Sequence, residues 1–286
     1  MPEADLPPEV IRVAELLAWG RTRVPGDEAR RECELLLGHA LQRDRAWLFA
    51  HANEAIDATQ RERFAQLIDE RRRGMPVAYL LGHWGFWTLD LRVSADTLIP
   101  RPETELLVEA ALAHLPTDAS LRLADLGTGS GAIALALARE RPRAQVIATD
   151  QSEGALTIAR DNAQRNEIAN VEFRRGSWYE PLEGERFDLI ASNPPYVADG
   201  DPHVAQGDLR FEPLSALTSG ADGLDAIRTL AREACAHLNP GGWLLIEHGF
   251  AQGEPVRELL TAAGLESVET LRDLEGRERM TLGKSS

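Results

Sequence analysis

The sequence predicts an α/β fold: a doubly wound parallel sheet that ends in an antiparallel strand pair and is preceded by a small helical bundle. Three observations support this prediction. From residue 121 onwards, short apolar runs alternate with segments of helical spacing, as in repeated βαβ units. A glycine-rich turn follows the first run, and the tetrapeptide Asn193-Pro194-Pro195-Tyr196 follows a later one. Residues 9–75 show helical spacing alone.

The bulk composition is that of an ordinary globular protein. The 286 residues are 43% hydrophobic and 27% charged, enough chain for one large domain and a smaller one. No apolar run approaches membrane-spanning length, and residues 1–5 are acidic where a secretory signal would be basic. Cys33 and Cys235 lie far apart without metal-ligand spacing, which indicates buried thiols in a reducing compartment and no metal site. We expect a cytoplasmic, monomeric protein that does not bind membranes.

The negative charge is concentrated in the second part of the chain. Residues 1–75 hold 12 arginines and 14 acidic residues, a net charge of −2 out of a total of −15. Residues 76–286 therefore carry −13. Such a surface repels a phosphate backbone and argues against a nucleic-acid substrate, although a local basic patch would still bind one.

Residues 1–75 are predicted to form a helical N-terminal domain. Asp27, and Asp57 or Thr59, stand where side chains cap the helices that follow. Arg71-Arg72-Arg73 ends the last helix, and these arginines either complement the helix dipole in solvent or form a docking patch for a partner. The predicted buried faces consist of Val10, Val13, Ala14 and Leu17, and of Cys33, Leu36, Leu37, Ala40 and Leu41.

Gly74-Met75-Pro76 predicts the domain boundary. Residues 76–98 then form a strand-pair linker, because aromatic residues and period-two alternation run from Tyr79 to Val93. Residues 99–286 form the second domain. It opens with a helix over 106–114, whose entry is fixed by prolines. Arg101, held between two of these prolines, is also placed to meet a carboxylate or a polar substrate.

The elements of the second domain follow the βαβ pattern in order. Strands are predicted at 121–126, 146–149, 171–174, 187–192 and 243–247, with a terminal pair at 267–271 and 279–282. Helices are predicted at 132–141, from a cap at Ser152 to residue 166, at 223–238 and at 256–263.

The turn Gly127-Thr128-Gly129-Ser130-Gly131 and the acid Asp150 predict a nucleotide site. Glycines let the backbone approach a ligand closely. A carboxylate that ends the second strand can accept hydrogen bonds from both hydroxyls of a ribose. Together with Ala132 the turn also satisfies the dinucleotide fingerprint, so these residues alone leave a nicotinamide enzyme as an alternative.

Asn193-Pro194-Pro195-Tyr196 argues against the nicotinamide alternative. Pro194 cannot donate to a sheet ladder, so the strand ends before it, and Pro195 stiffens the chain beyond. An amide and an aromatic ring are thus held rigidly at the carboxyl end of a strand, where α/β sheets bind ligands. A hydride-transfer site has no evident use for this pair. The simple structural alternative is a strand-ending turn without chemistry.

Taken together, the motifs resemble a known class of enzyme. Asp125 to Gly131, Asp150 and Asn193 to Tyr196 are similar to a class I S-adenosylmethionine-dependent methyltransferase that acts on a planar nitrogen, with its Rossmann-like sheet. Pro100 to Glu105, Gly176 to Tyr179 and the helical N-terminal domain resemble one family of that class. It is the glutamine N5-methyltransferases of peptide-chain release factors, the HemK/PrmC family. The resemblance spans essentially the whole chain.

The resemblance implies a role for each motif. Gly127 to Gly131 would pass beneath the methionine part of S-adenosylmethionine, Asp150 would hold the ribose hydroxyls, and Trp178 would lie near the adenine. Asn193 to Tyr196 would bind the substrate glutamine, and Asn193 would border the cofactor as well. The implied partner is a release factor.

The expected catalysis depends on position. An amide nitrogen is a poor nucleophile, and no side-chain base can deprotonate it near neutral pH. The Asn193 side-chain oxygen and the Pro194 carbonyl can each accept a hydrogen from the substrate amide, which orients the nitrogen and raises its electron density. Tyr196 can stack on the flat amide. Methyl transfer would then be in line, with the proton lost late to water.

Two other classes of function share these features. Adenine-N6 and guanine-N2 methyltransferases can carry the same tetrapeptide, but they need a basic face for phosphates, whereas residues 76–286 carry −13. We therefore expect no direct nucleic-acid substrate and keep such an enzyme as the alternative. A cofactor-binding scaffold without activity is disfavoured because every motif position is filled.

Overall fold

The computed structural model describes Pro7, Pro8 and residues 11–286. The chain divides into two compact units, Met1–Gly82 and His83–Ser286. The predicted linker residues 76–98 are thus shared between the units. Val10 and the acidic N-terminal residues lie outside the described residues. Within 7–8 and 11–286, no helix combines the length and apolar character needed to cross a bilayer.

Helices account for the regular structure of the first unit in its described part. The predicted face of the second helix is buried from Cys33 to Leu41. Ala14 was expected to be buried but is exposed, because the first helix buries Val13, Leu16 and Leu17 instead. The helices are α1 (Val13–Arg21), α2 (Ala29–Leu41), α3 (Arg45–Ala50), α4 (Ala58–Arg72) and α5 (Val77–Leu81).

One of the two predicted caps in this unit is confirmed. The Asp57 side chain accepts a hydrogen bond of 2.8 Å from the backbone N–H of Gln60 at the start of α4. The prediction for Asp27 is wrong. Because α2 starts at Ala29, Glu28 occupies the cap position with helical backbone angles, and no side chain caps the helix.

The second unit contains a hairpin and a seven-stranded sheet. The hairpin strands are β1 (His83–Phe86) and β2 (Leu89–Arg92). The sheet strands are β3 (Arg122–Leu126), β4 (Gln145–Asp150), β5 (Val171–Arg175), β6 (Phe187–Ser192), β7 (Leu238–Glu247), β8 (Glu266–Arg272) and β9 (Glu278–Lys284). The order is β5-β4-β3-β6-β7-β9-β8. The first five strands are parallel and β9 pairs antiparallel with both neighbours, so the predicted fold class is confirmed.

Helices cover both faces of this sheet. They are α6 (Glu105–His114), α7 (Ala132–Glu140), α8 (Glu153–Arg165), α9 (Asp225–His237) and α10 (Gly253–Ala262). One apolar layer joins the sheet to α6 and α7, and a second joins it to α9 and α10. As a result, the carboxyl ends of the parallel strands are left open between the layers, at the edge where ligands bind such sheets.

A buried amide ties the hairpin to the glycine turn. Asn162 on α8 exchanges hydrogen bonds with the backbone of Arg92, and its Nδ2 also donates to the carbonyl of Ser130 at 2.8 Å. The predicted strand pair is present but shorter than expected at its start, because Tyr79 belongs to α5.

Candidate active site

A cavity of about 550 Å³ lies at the carboxyl ends of β3, β4 and β6. Its volume is typical of a site for a small-molecule ligand. The site residues predicted from the sequence that line it are Gly127, Thr128, Gly129, Ser130, Asp150, Trp178, Asn193 and Pro195. The structure therefore brings residues that are up to 68 positions apart in the chain to the wall of one cavity.

Gly131, Pro194 and Tyr196 do not line this cavity. Gly131 precedes α7 with a φ of +86°, and a Cβ atom there would lie 3.1 Å from Leu135 and 3.3 Å from Ala159. Its glycine is therefore required by packing beneath the turn. Pro194 is buried, and Tyr196 is half-buried.

The glycine turn is held by a buried carboxylate. Thr128 donates through Oγ1 to Oδ2 of Asp125 at 2.6 Å, and the N–H of Ala134 on α7 donates to the same oxygen at 3.1 Å. Asp125 is fully buried, and its other oxygen, Oδ1, has no hydrogen-bond partner in the part of the chain that the structure describes. Burial raises the pKa of Asp125 to about 7.

Asp150, at the end of β4, faces the cavity with both oxygens engaged by backbone. Oδ2 accepts from the N–H of Gly129 and Oδ1 from the N–H of Ser152, each at 2.9 Å. Burial raises the pKa of this carboxyl group, and the two N–H groups oppose the shift. Because each carboxylate oxygen has a second lone pair, Asp150 can still accept a hydrogen bond at each oxygen from a diol.

Trp178 covers the first glycine of the turn. Its backbone lies in the left-handed region, with a φ of +48°, and its carbonyl accepts a hydrogen bond of 3.1 Å from Oγ1 of Thr149. A Cβ atom on Gly127 would lie 3.1 Å from the indole ring. The indole thus packs directly on the turn and also lines the cavity, where it can border a planar ring.

The Asn193–Tyr196 segment, which we call the shelf, is fixed to the sheet from several sides. Ser192, just before it, donates through Oγ to the carbonyl of Leu126 on β3 at 2.6 Å. At the far end of the shelf, the carbonyl of Tyr196 accepts from Nε2 of Gln252 at 3.0 Å. These two hydrogen bonds support the predicted rigidity of the shelf, because they hold it in addition to its two prolines.

Two polar side chains that the sequence analysis did not single out hold the shelf from behind. Nδ2 of Asn193 donates to Oγ1 of Thr104 at 3.0 Å, and Oγ1 of Thr104 donates to Oε2 of Glu247 at 2.7 Å. The other carboxylate oxygen, Oε1, accepts from the Tyr196 hydroxyl at 3.4 Å. Glu247 is 1% exposed, and burial raises its pKa to about 7. The one signal in the sequence for Glu247 was its place as a carboxylate at the carboxyl end of an apolar central strand.

Arg101 meets a carboxylate of its own chain. It pairs with Glu212, which is buried and which also accepts from the backbone N–H of Ile99 at 3.2 Å. This pair joins the segment before α6 to the loop between β6 and α9, both of which contribute residues to the cavity wall. In this structure Arg101 therefore helps to build the cavity wall, and its contact with a substrate stays a prediction.

The cavity lining therefore offers a ligand the lone pairs of Asp150 and the indole of Trp178 beside the turn, and the amide of Asn193 at the shelf. Within the described ranges, 7–8 and 11–286, no group of three or more His, Cys, Asp or Glu side chains is arranged to hold a metal ion.

Two family models match the chain. Residues 15–82 match the PrmC N-terminal domain, and residues 103–209 match the methyltransferase small domain. The release factor glutamine methyltransferase of Xylella fastidiosa (strain Temecula1) is 61% identical over 255 residues, covering 89% of this chain and 93% of the relative. That of Pseudomonas aeruginosa is 54% identical over 256 residues, covering 90% and 92%.

One solved structure with a similar fold is that of a ribosomal RNA methyltransferase. A 16S rRNA N2 methyltransferase from T. thermophilus, in complex with AdoMet and guanosine, superposes with a TM-score of 0.53 at 20% identity. The match covers 71% of this chain and 50% of that one. At this identity the likeness concerns the fold alone.

Proposed function

This chain belongs to the release factor glutamine methyltransferase family, and we propose that the cavity at the glycine turn and the shelf is its active site. The enzyme transfers a methyl group from S-adenosylmethionine to the side-chain amide nitrogen of a glutamine in a peptide-chain release factor.

The residues at the turn fit S-adenosylmethionine. Asp150 has free lone pairs for the ribose hydroxyls, and Trp178, which lines the cavity, can border the adenine. Gly129 has a φ of +56°, and a Cβ atom there would meet no atom within 4 Å, so the backbone is open to the methionine part. When bound, the cofactor supplies an electrophilic methyl group on a sulfonium sulfur.

One observation carries the proposed mechanism: Asn193 lines the cavity while its Nδ2 is already used by Thr104. The remaining polar atom, Oδ1, is an acceptor and is available to one N–H of the substrate amide. The carbonyl of Pro194 would take the other. Two acceptors fix the plane of the amide and stabilise the positive charge that develops on nitrogen.

The transfer needs no strong base in this site. As the N–CH3 bond forms, the S–CH3 bond breaks and S-adenosylhomocysteine leaves with the electron pair. The methylated nitrogen is then acidic and loses its extra proton to water. Tyr196 would bound the glutamine on the shelf, and its hydroxyl, held by Glu247, keeps the ring in place.

We propose the glutamine of the Gly-Gly-Gln motif as the acceptor and the release factor, in the cytoplasm, as the protein partner of a monomeric enzyme. The net charge of −13 on residues 76–286 favours a protein over a nucleic-acid substrate. The first unit would dock the partner. Its arginine run offers little free charge for this, because Arg71 is 14% exposed and pairs with Glu32 through two nitrogens.

The test is methylation with labelled S-adenosylmethionine in three parallel reactions. One contains the release factor, one the same factor with its motif glutamine replaced, and one nucleic acid. Label in the first reaction alone supports the proposal. Equal label in the second reaction would move the acceptor elsewhere in the factor, and label in the third would favour base methylation.

A further inference from the structure

We propose that Glu247 is a positioning residue that, through Thr104, decides which atom of the Asn193 side chain faces the substrate. The proposal rests on the function proposed above, because it explains how an acceptor is presented to a glutamine amide. Neither residue touches the reacting atoms in this account. Their effect reaches the reaction only through Asn193.

The three side chains form one continuous chain of hydrogen bonds. The links measure 3.0 Å from Asn193 to Thr104 and 2.7 Å from Thr104 to Glu247. Thr104 is 3% exposed and Glu247 1%, so water does not compete for these groups. Thr104 lines the cavity at the start of α6, whereas Glu247 ends β7 behind it.

The direction of the chain follows from chemistry. The ionised form of the Glu247 carboxylate can only accept, so in that form the Thr104 hydroxyl donates its single hydrogen to Glu247. The threonine oxygen can then only accept from Asn193, which must turn its NH2 group towards it. Oδ1 of Asn193 is thereby left to face the cavity. An amide turned the other way would offer the substrate NH2 a second NH2 and no acceptor.

Packing at the end of β7 does not by itself explain a buried carboxylate at position 247. A buried charge costs several kcal/mol that an apolar side chain of similar size would not. A residue that served packing alone would be better replaced by leucine or methionine. The second oxygen of Glu247 also accepts from the Tyr196 hydroxyl, so one carboxylate fixes both ends of the shelf.

Two substitutions remove the directing group in different ways. In Glu247→Met the hydroxyl of Thr104 loses its acceptor and can donate to Oδ1 of Asn193, which turns the amide round. In Thr104→Val the link is absent and the amide rotates freely. We expect kcat to fall by about 10²-fold in each, the size of one removed transition-state hydrogen bond. The affinity for S-adenosylmethionine should be unchanged in both.

Controls separate positioning from general damage. Thr104→Ser keeps the hydroxyl and should recover most of the rate lost in Thr104→Val. Thr281→Val removes another fully buried hydroxyl, one bonded to His248 and Thr270, and should leave kcat unchanged. In the double variant of Glu247→Met and Thr104→Val the two losses should not add, because both act through Asn193.

A second readout does not depend on activity. The side-chain NH2 resonances of Asn193, assigned by their absence in Asn193→Asp, should shift in Glu247→Met and Thr104→Val and stay in place in Thr281→Val. A wild-type protein that fails to methylate release factor would end the proposed function while these resonances still test the hydrogen-bond chain. Normal kcat in both variants, a failure of serine to restore the rate, or unmoved resonances would overturn the positioning role.

Discussion

The two sides of the cavity are built in different ways. On the cofactor side, the turn between β3 and α7 is held mainly by its own backbone and by nearby acids: Thr128 bonds to Asp125 three residues away, and Gly129 to Asp150 across 21. On the substrate side, Asn193 bonds to Thr104, which lies 89 positions earlier in the chain. Thr104 in turn bonds to Glu247, which lies 143 positions after it.

This difference reflects what each ligand needs. A nucleotide cofactor has the same shape in every turnover, and a turn with fixed backbone angles is sufficient to bind it. A reacting amide needs one particular acceptor at one particular angle. The substrate side therefore depends on polar side chains brought together by the fold, and it is the side that single substitutions should damage most.

The largest effect is expected from Asn193→Ala. Loss of the acceptor removes a hydrogen bond that strengthens as charge develops, and kcat should fall by about 10³-fold. Binding of S-adenosylmethionine, measured by calorimetry, should be nearly unchanged.

Two further variants serve as comparisons for Asn193→Ala: Asn193→Asp, which keeps an acceptor, and Asn239→Ala, which is the control. The aspartate still accepts hydrogen bonds, so part of the activity should survive. Asn239 bonds to Asp188 away from the cavity, and its loss should not affect kcat. Full turnover by Asn193→Ala would show that the amide is not positioned by this residue.

The next largest effect is a pH dependence of the unfolding free energy that comes from the buried Glu247. Its pKa is raised to about 7 because burial outweighs the hydrogen bond from Thr104 and the nearby charge of Arg279, while Glu103 adds to the rise. The folded state therefore keeps a proton that the unfolded state releases above a pH of about 4.5, and this contribution to stability is lost as the pH rises through 7. Relative to Glu247→Gln, the wild type should lose about 3 kcal/mol of unfolding free energy between these pH values.

Urea denaturation of both proteins at pH 5 and pH 8 measures this difference. Asp125, whose pKa is raised in the same direction, is present in both proteins and cancels. A gap between the two proteins that is the same at both pH values would mean that Glu247 does not titrate in this range.

On the cofactor side, Asp150→Ala should weaken S-adenosylmethionine binding by about 30-fold, since two hydrogen bonds to a charged group are lost and water replaces part of them. At saturating cofactor kcat should change little, in contrast to Asn193→Ala. The comparison variant is Asp161→Ala, which removes an exposed acid of α8 that pairs with Arg92. Equal affinities for the wild type and Asp150→Ala would remove Asp150 from the ribose site.

The smallest expected effect distinguishes two glycines of the turn. Both have positive φ angles, +75° for Gly127 and +56° for Gly129, so alanine costs about 1 kcal/mol at either position. Only at Gly127 would the new methyl group also press on Trp178, at 3.1 Å. Gly127→Ala should therefore lose more unfolding free energy than Gly129→Ala when both are measured by urea denaturation. Equal losses would mean that the indole moves aside for the methyl group.

Much of the fold followed from local patterns. The strand Phe187–Ser192 was predicted to the residue because an apolar run meets a proline that cannot continue the ladder. The Ser152 cap is also confirmed, by a hydrogen bond of 3.1 Å from the N–H of Ala155. Asp27 failed as a cap because a helix start can move by one residue at little cost.

The site was predictable where it is local and not where it depends on distant pairs. Asn193 could be placed at a strand end from its own neighbours, but its partner Thr104 had no signal beyond a helix start. Glu247 has an ordinary position at the end of a strand. Its importance depends on β6 and β7 being neighbours in the sheet, which the spacing of apolar runs does not specify.

The most direct test is a crystal structure of the enzyme with S-adenosylhomocysteine and a release factor. The substrate glutamine nitrogen should lie within hydrogen-bond distance of Oδ1 of Asn193 and of the Pro194 carbonyl, on the side facing the sulfur. A glutamine amide bound away from these two oxygens, or an Asn193 that turns its NH2 towards the substrate, would contradict the account.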